Sequence, residues 1–368
     1  MITPVETVGM DPKGLDRVKA LFQEQLDQGL HPGAAMAAYR NGKLVLDLYG
    51  GQADKEAKKP VSQDTLFVIF SSTKPLAAFC WHLLWERGQL ELGDWIADHW
   101  PEFAKNGKDR VTVRHILTHT AGFPETPPEL TPDKMTNWEA AVQAMENATL
   151  SYEPGKVIAY HSLNFGWVVG EVVRRVDGRP ISQFLQEEVT GPLGMKDFDL
   201  GLPPEQEPRV AKLYAMEDCD TSDTVDLFNR SEAHQAVIPA ANGISTARDL
   251  ARFYAMLSMG GSLDGTEIIR PGVIKSFAAL QEEGEDRTTG REIKLGLGFA
   301  IDAPSMGAQR GSGRYNHSIG HGGLGSSIGW VDLGSRLAVA IITNGVRGDE
   351  YNTQRMIALS EAVRDACI

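Results

Sequence analysis

Disulfides, membrane spans and basic surfaces are all things this chain lacks the residues for. Its 368 residues include only three cysteines, Cys80, Cys219 and Cys367. They are odd in number and without metal-type or redox-type spacing, so free thiols are expected. No run approaches the ~18 apolar residues that a bilayer span requires, and the longest candidate, residues 76–85, is broken by His82. Lys and Arg number 36 against 49 Asp and Glu, a formal net charge of −13. That balance argues against nucleic acid or an anionic membrane as a partner, since both need basic patches. No dinucleotide or phosphate loop of the expected form is present. His115 and His119 stand four apart without the intervening Glu of a zincin and read as structural, so neither metal nor cofactor is expected. Residues 1–6, Met-Ile-Thr-Pro-Val-Glu, have no basic and no apolar leader region, which makes the cytoplasm the expected location.

What is present suits a globular protein. The hydrophobic fraction is 42%, and the length allows one large domain or two intimate ones with a sizeable core. Asp11-Pro12 followed by Leu15, Val18, Phe22 and Leu26 predicts an amphipathic helix ending at Gly29. Residues 34–39 and 43–49 flank Asn41-Gly42, a strong hairpin signal. An apolar run at 65–70 precedes a helix over 75–87. From there to about Pro192 the pattern is helical, interrupted by a proline-rich loop over 123–132; Phe165, Val168, Val169, Val172 and Val176 mark one further helix, ending at Gly178. Residues 201–233 read as a long connection. The pattern then predicts a helix over 246–257, strands over 295–301, 326–332 and 336–343, and a terminal helix over 354–367. The simplest assembly is one antiparallel sheet made from both chain ends, covered by helices, with a helical region inserted between them.

The stretch that could carry chemistry is Ser71-Ser72-Thr73-Lys74. Side chains three apart on a helix share a face, so Lys74 can lie against the Ser71 hydroxyl, whereas Ser72 points elsewhere. Pro75 fits a first helical turn, although the residue before a proline is disfavoured in the helical region. On its own the tetrapeptide is common by chance, and Ser71 or Ser72 then reads as an N-cap. A Ser–Lys pair works only if burial or a neighbouring cation lowers the lysine's pKa. Tyr160 is a candidate second proton carrier if cations stabilise its phenolate; otherwise it is a tyrosine packed at a helix start. His321-Gly322-Gly323 could bring backbone close to a substrate, with the next N–H as an oxyanion donor, or could be part of a glycine-rich chain reversal. Gly325-Ser326-Ser327-Ile328-Gly329 offers Ser327 as a rival nucleophile. It fails because a strand, not a helix, follows, and because no histidine lies beyond His321 to complete the triad order.

Taken in order, Ser71-x-x-Lys74, Tyr160 and His321-Gly322-Gly323 resemble the serine β-lactamase and penicillin-binding-protein superfamily. The closer likeness is to class C β-lactamase-related esterases, the family VIII carboxylesterases. The likeness extends through His31-Pro32-Gly33, the segment from Val111 to Gly122, Tyr160-His161-Ser162, Gly191-Pro192-Leu193-Gly194 and the segment from Gly243 to Leu250. The resemblance implies an α+β, β-lactamase-like fold. Residues 1–74 and 236–368 would form a sheet domain built from both termini, 75–235 a mainly helical domain, and the active site the cleft between them. It makes Ser71 the nucleophile, Lys74 and Tyr160 the proton-handling pair, and the N–H groups of Ser71 and Leu324 the oxyanion hole. Substrate would meet Ser162, His321, Gly322 and Gly323. Where many β-lactamases carry Lys-Thr-Gly this chain has His321-Gly322-Gly323, and where they carry Tyr-x-Asn it has Tyr160-His161-Ser162. Without a permanent lysine charge, capture of a β-lactam carboxylate weakens. The implied activity is therefore cleavage of small carboxylic esters through an acyl-enzyme, with Tyr160 chiefly activating the deacylating water. The alternatives are β-lactamase or D-amino-acid peptidase activity, acyl transfer, or a sensor acylated without turnover.

Overall fold

The computed structural model describes residues 3–307 and 317–368. Helix α1 (Pro12–Asp27) starts as its sequence requires: the Asp11 carboxylate accepts from the backbone N–H groups of Lys13 and Gly14, and Pro12 occupies the first turn. Strands β1 (Gly33–Arg40) and β2 (Lys43–Asp54) follow. They are joined through Asn41 at φ 50° and Gly42 at φ 71°, the two positive values that a tight hairpin turn demands.

Both chain ends feed one nine-stranded antiparallel sheet. With β3 (Lys59–Pro60), β7 (Glu282–Asp286), β8 (Arg291–Leu295), β9 (Ala300–Ile301), β10 (Ser318–Gly323), β11 (Ser327–Asp332) and β12 (Leu337–Thr343), its order is β7-β8-β9-β10-β11-β12-β1-β2-β3. A separate three-stranded sheet joins β4 (Phe67–Val68), β5 (Phe198–Leu200) and β6 (Gly243–Ser245), with β6 central.

The period-2 alternation of the central strands sets the layers. Met36, Val339 and Ile341 face α1 and the terminal helix α5 (Asp349–Asp365), packing with Val18, Phe22, Met356 and Leu359. On the other face Ala35, Ala37, Ala338 and Ala340 are small, which lets α4 (Ala247–Ser258) lie close to the sheet. At Gly329 an added Cβ would sit 2.4 Å from the Tyr254 ring of α4, so a larger residue there would push the helix off. Between the sheet strands run mostly helices, including the buried α2 (Lys74–Glu86) and α3 (Asn164–Asp177).

One strand expectation needs correction. The run at 295–301 is not one strand: Gly296 and Gly298 break it, and the chain curls so that Leu297 N–H reaches Phe277 O and Gly298 N–H reaches Leu117 O. The hairpin β7–β8 carries the sequences Glu-Glu-Gly-Glu-Asp and Arg-Glu-Ile-Lys-Leu, too charged to show an apolar alternation. The run at 65–70 contributes only the two residues of β4 to a sheet before turning into a 3-10 segment, Phe70–Thr73. The three cysteines are free. Among the described residues no helix is long and apolar enough to cross a membrane.

Candidate active site

Ser71 sits on a turn held from several sides. Ile69 N–H donates to Gly243 O at 2.9 Å, which ends the β4 pairing with β6. Phe70 then adopts φ 45°, a left-handed conformation that costs a bulky residue on the order of 1–3 kcal/mol. Its surroundings over-determine it. The ring is buried edge-on against Phe228 at 5.1 Å, and its carbonyl accepts from the Thr73 hydroxyl, which in turn accepts from Gly243 N–H. One 3-10 turn later α2 begins, with Lys74 helical at φ −55°, ψ −42° despite the following proline. No side chain caps either helical segment, so the N-cap reading of Ser71 or Ser72 does not hold.

The two serines face opposite ways. Lys74 Nζ donates to Ser71 Oγ at 3.0 Å and to Ala240 O at 3.0 Å, and it lies over the Tyr160 ring, 4.7 Å from the centroid. Lys74 is fully buried and has no carboxylate partner among the described residues. Burial therefore pulls its pKa well below the usual lysine range. The Tyr160 phenol also shares a hydrogen bond with Ser71, but burial pushes its pKa up, and the nearby Asp286 charge adds to this. The expectation of a cation-stabilised Tyr160 phenolate is therefore corrected: of the two groups, Lys74 is the one whose pKa is moved toward neutrality.

Ser72 and Ser327 instead tie the turn to the sheet. Ser72 Oγ lies 3.0 Å from His321 O and 3.0 Å from Ser327 Oγ, and Ser327 Oγ donates to Ile69 O at 2.7 Å. Two hydroxyl protons serve three contacts, so one of the three is at any moment an unprotonated oxygen pair. Both side chains are buried. Ser327 is thus a brace, in keeping with its rejection as a nucleophile.

The strand β10 brings His321, Gly322 and Gly323 to the same place. Gly323 lies flat on the turn, where an added Cβ would come 2.2 Å from Ile69 O. Ser318–Gly323 and Ser327–Asp332 are paired strands and only 324–326 reverse the chain, so a glycine-rich reversal over 320–329 is excluded. Leu324, half-buried, begins that reversal, closed by Ser326 N–H on Gly323 O at 3.1 Å. The His321 ring stands 5.9 Å from that of Tyr160, and its Nδ1 donates to Gly322 O at 2.6 Å. Burial and the Lys74 charge hold His321 down to about 3, so it is neutral. Ser162 is exposed, and its side chain makes no hydrogen bond among the described residues.

Three further residues hold Tyr160, and none was given a role beside it from sequence. Asp286, buried in the β7–β8 turn, accepts from Tyr160 N–H at 2.8 Å, and Thr288 Oγ1 donates to Tyr160 O at 3.3 Å. His119, at φ 56°, tilts against the Tyr160 ring at 4.8 Å and accepts from His161 N–H through Nδ1 at 3.2 Å. The His115 and His119 rings each bond to backbone N–H groups. His115 Nδ1 accepts from Thr112 N–H at a helix start, while His119 backs the tyrosine. No group of three or more metal-ligating side chains occurs among the described residues.

Buried neutral histidines make an acid-stability prediction. His31 is held down to about 3, and His82 and His161 to about 4, each mainly by burial. Below the ordinary value near 6.5 the unfolded chain binds protons that the folded chain refuses. Their stabilisation is complete above about pH 6.5 and is lost as pH falls toward about 4, at about 1.4 kcal/mol per histidine per pH unit. The unfolding free energy from urea titrations is expected to fall by several kcal/mol between pH 7.5 and pH 5; a flat profile there would contradict the burial of these rings as neutral species.

Comparison with known proteins places the chain as a whole. A family model described as beta-lactamase matches residues 18–363. The Mycobacterium tuberculosis protein named esterase/beta-lactamase LipL is 30% identical over 341 residues, 85% of this chain and 77% of that protein. Two crystal structures superpose over 97% of this chain and 99% of theirs. One is a penicillin-binding protein homologue from Caulobacter crescentus, at TM-score 0.86 and 32% identity; the other is a family VIII carboxylesterase, at 0.87 and 29%.

Proposed function

The chain belongs to the beta-lactamase family, and on that premise we propose that it is a serine carboxylesterase working through an acyl-enzyme on Ser71. The observation that carries the reading is the 3.0 Å contact between Ser71 Oγ and a fully buried lysine that has no acidic partner. In the proposed cycle, Lys74 as the neutral amine takes the Ser71 proton, and the Ser71 oxygen attacks the ester carbonyl. The N–H groups of Ser71 and Leu324 hold the oxyanion. Collapse breaks the bond to the alcohol oxygen, which receives its proton through the Tyr160 phenol, itself reprotonated from Lys74. Water then enters by the reverse path: it gives a proton to the Lys74–Tyr160 pair, attacks the acyl carbon, and Ser71 leaves with the proton restored. His321, Gly322, Gly323 and Ser162 would border the substrate, in a cleft between the sheet part, 1–74 with 236–368, and the helical part, 75–235.

Esters are favoured over β-lactams because the strand beside Ser71 presents a neutral histidine. A charged hydrogen bond to a carboxylate is worth about 1.5–3 kcal/mol, and without it a β-lactam loses roughly 10- to 100-fold in capture. Slow β-lactam hydrolysis is the second reading, supported by the double name of LipL. A panel of p-nitrophenyl esters, nitrocefin, and an ester with competing alcohol tests both. Short-chain ester hydrolysis is expected to exceed nitrocefin turnover by roughly 10- to 100-fold in kcat/KM, with the free acid as main product. Nitrocefin as the better substrate would overturn the reading, as would transfer products dominating in dilute alcohol.

A further inference from the structure

Arg355 of α5 is a buried guanidinium, 4% exposed, that pairs with no carboxylate among the described residues. The acid whose charge reaches it, Asp218, is instead taken by Arg347 Nε at 2.9 Å and by Gly348 N–H at 2.9 Å. An unpaired buried charge is costly, and an apolar side chain would fill the same space more cheaply. What the charge does here is hold backbone. Nη2 donates to Gly325 O at 2.6 Å and Gly345 O at 2.8 Å, with Thr343 Oγ1 and Asn352 Oδ1 as longer partners at 3.1 and 3.0 Å. Nη1 reaches Leu30 O and His31 Nδ1, both at 3.1 Å. Nη2 has two hydrogens for four acceptors, so the two short carbonyl bonds dominate.

Gly325 is the residue after Leu324, and its position is tightly set. It stands at φ 52°, and an added Cβ would lie 2.1 Å from Arg347 O. Arg347 N–H donates to the same Gly325 O at 2.9 Å. On its other side the reversal is entered from Gly323, the last strand residue, which presses on the backbone of Ile69, two residues before Ser71. The reversal is therefore clamped between the nucleophile turn and Arg355.

We propose that Arg355 is a positioning residue for ester hydrolysis, gripping Gly325 O from behind so that the 323–326 reversal aims Leu324 N–H at the oxyanion. The proposal rests on the reading of Leu324 N–H as an oxyanion donor. Arg355→Met and Arg355→Lys are compared with wild type in p-nitrophenyl butyrate kinetics and in affinity for a boronic acid. The boronic acid forms a tetrahedral adduct with the nucleophile and so reports on the oxyanion position. Arg355→Met is expected to lower kcat by about 10²-fold or more with KM nearly unchanged, and to weaken boronic acid binding by a similar factor. Arg355→Lys, keeping a cation but not the fork, recovers part of both. A folded Arg355→Met with kcat and boronic acid affinity within about threefold of wild type overturns the proposal; so does a kcat loss with unchanged boronic acid affinity. If Arg355→Met does not fold, Arg355→Lys decides: kcat and boronic acid affinity fall together below wild type, or, if neither moves, the proposal fails. Fluorophosphonate labelling of wild type at Ser71 is run alongside. Its absence would remove the acyl-enzyme reading itself, and this proposal with it, whereas labelling with normal Arg355 variants removes only the role of Arg355.

Discussion

Ser71→Ala is expected to lower ester kcat by on the order of 10⁴-fold or more while leaving the melting temperature unchanged. Loss of a nucleophile removes the covalent route and leaves only binding and oxyanion stabilisation, which accounts for the size of the effect. Stability should hold because, among the described residues, the Ser71 hydroxyl hydrogen-bonds only with groups of the same site, the Lys74 amine and the Tyr160 phenol. Its neighbour gives the opposite pattern. Ser72 is buried and shares its hydroxyl with His321 O and Ser327 Oγ. Ser72→Ala should therefore cost about 1–3 kcal/mol of stability and retain turnover within about tenfold. Kinetics and thermal melts of the two alanine variants separate the reacting serine from the bracing one. The assignment fails if the patterns are exchanged.

Lys74→Met should lower kcat/KM by about 10²- to 10⁴-fold, the range for losing a general base, without a large loss of stability near pH 7. Methionine fills nearly the same volume, so no large cavity results. Two terms decide stability. Ala240 O loses its donor, a cost of about 1–3 kcal/mol. Against this, the chain no longer has to bury an amine whose pKa is driven far below the lysine range, and each unit of that depression is worth about 1.4 kcal/mol. The two terms oppose each other, so no large fall in melting temperature is expected, as at sites where function holds an unfavourable group in place. The pH profile carries the same information. Lys74 acts as a base only when unprotonated, so wild-type kcat/KM rises with pH through its depressed value and then levels off. In Lys74→Met that rise is lost. Activity within about fivefold of wild type, or a clear destabilisation, would contradict the role given to Lys74.

Local signals located the parts of the site that lie on regular elements. The Asn41-Gly42 hairpin, α1 from Asp11-Pro12, and α3 up to Gly178 were all readable from periodicity and turn chemistry, and the structure has them. That Lys74 can lie against Ser71 was readable because three residues apart on one chain is a local relation, although the tetrapeptide alone reads equally as an N-cap. Tyr160 and His321-Gly322-Gly323 needed the family resemblance, since no local rule brings residues 71, 160 and 321 together. Asp286 was not readable at all: it lies 126 residues from Tyr160, in a hairpin whose charged strands show no apolar alternation. His119 was noticed for its spacing to His115, but its contact with the Tyr160 ring depends on a left-handed backbone that sequence does not announce. The direction of the Tyr160 shift was likewise invisible, because burial, which raises it, is a property of the packed site.

The most direct test of the account is to find where the acyl group goes. Wild-type protein is quenched in acid during turnover of a slowly deacylated p-nitrophenyl ester, digested, and its peptides mapped by mass spectrometry. The account requires a single acyl mass on the peptide containing Ser71, localised to that residue and absent from Ser71→Ala. An acyl mass on Ser72 or Ser327, or turnover by Ser71→Ala at the wild-type rate, would contradict it.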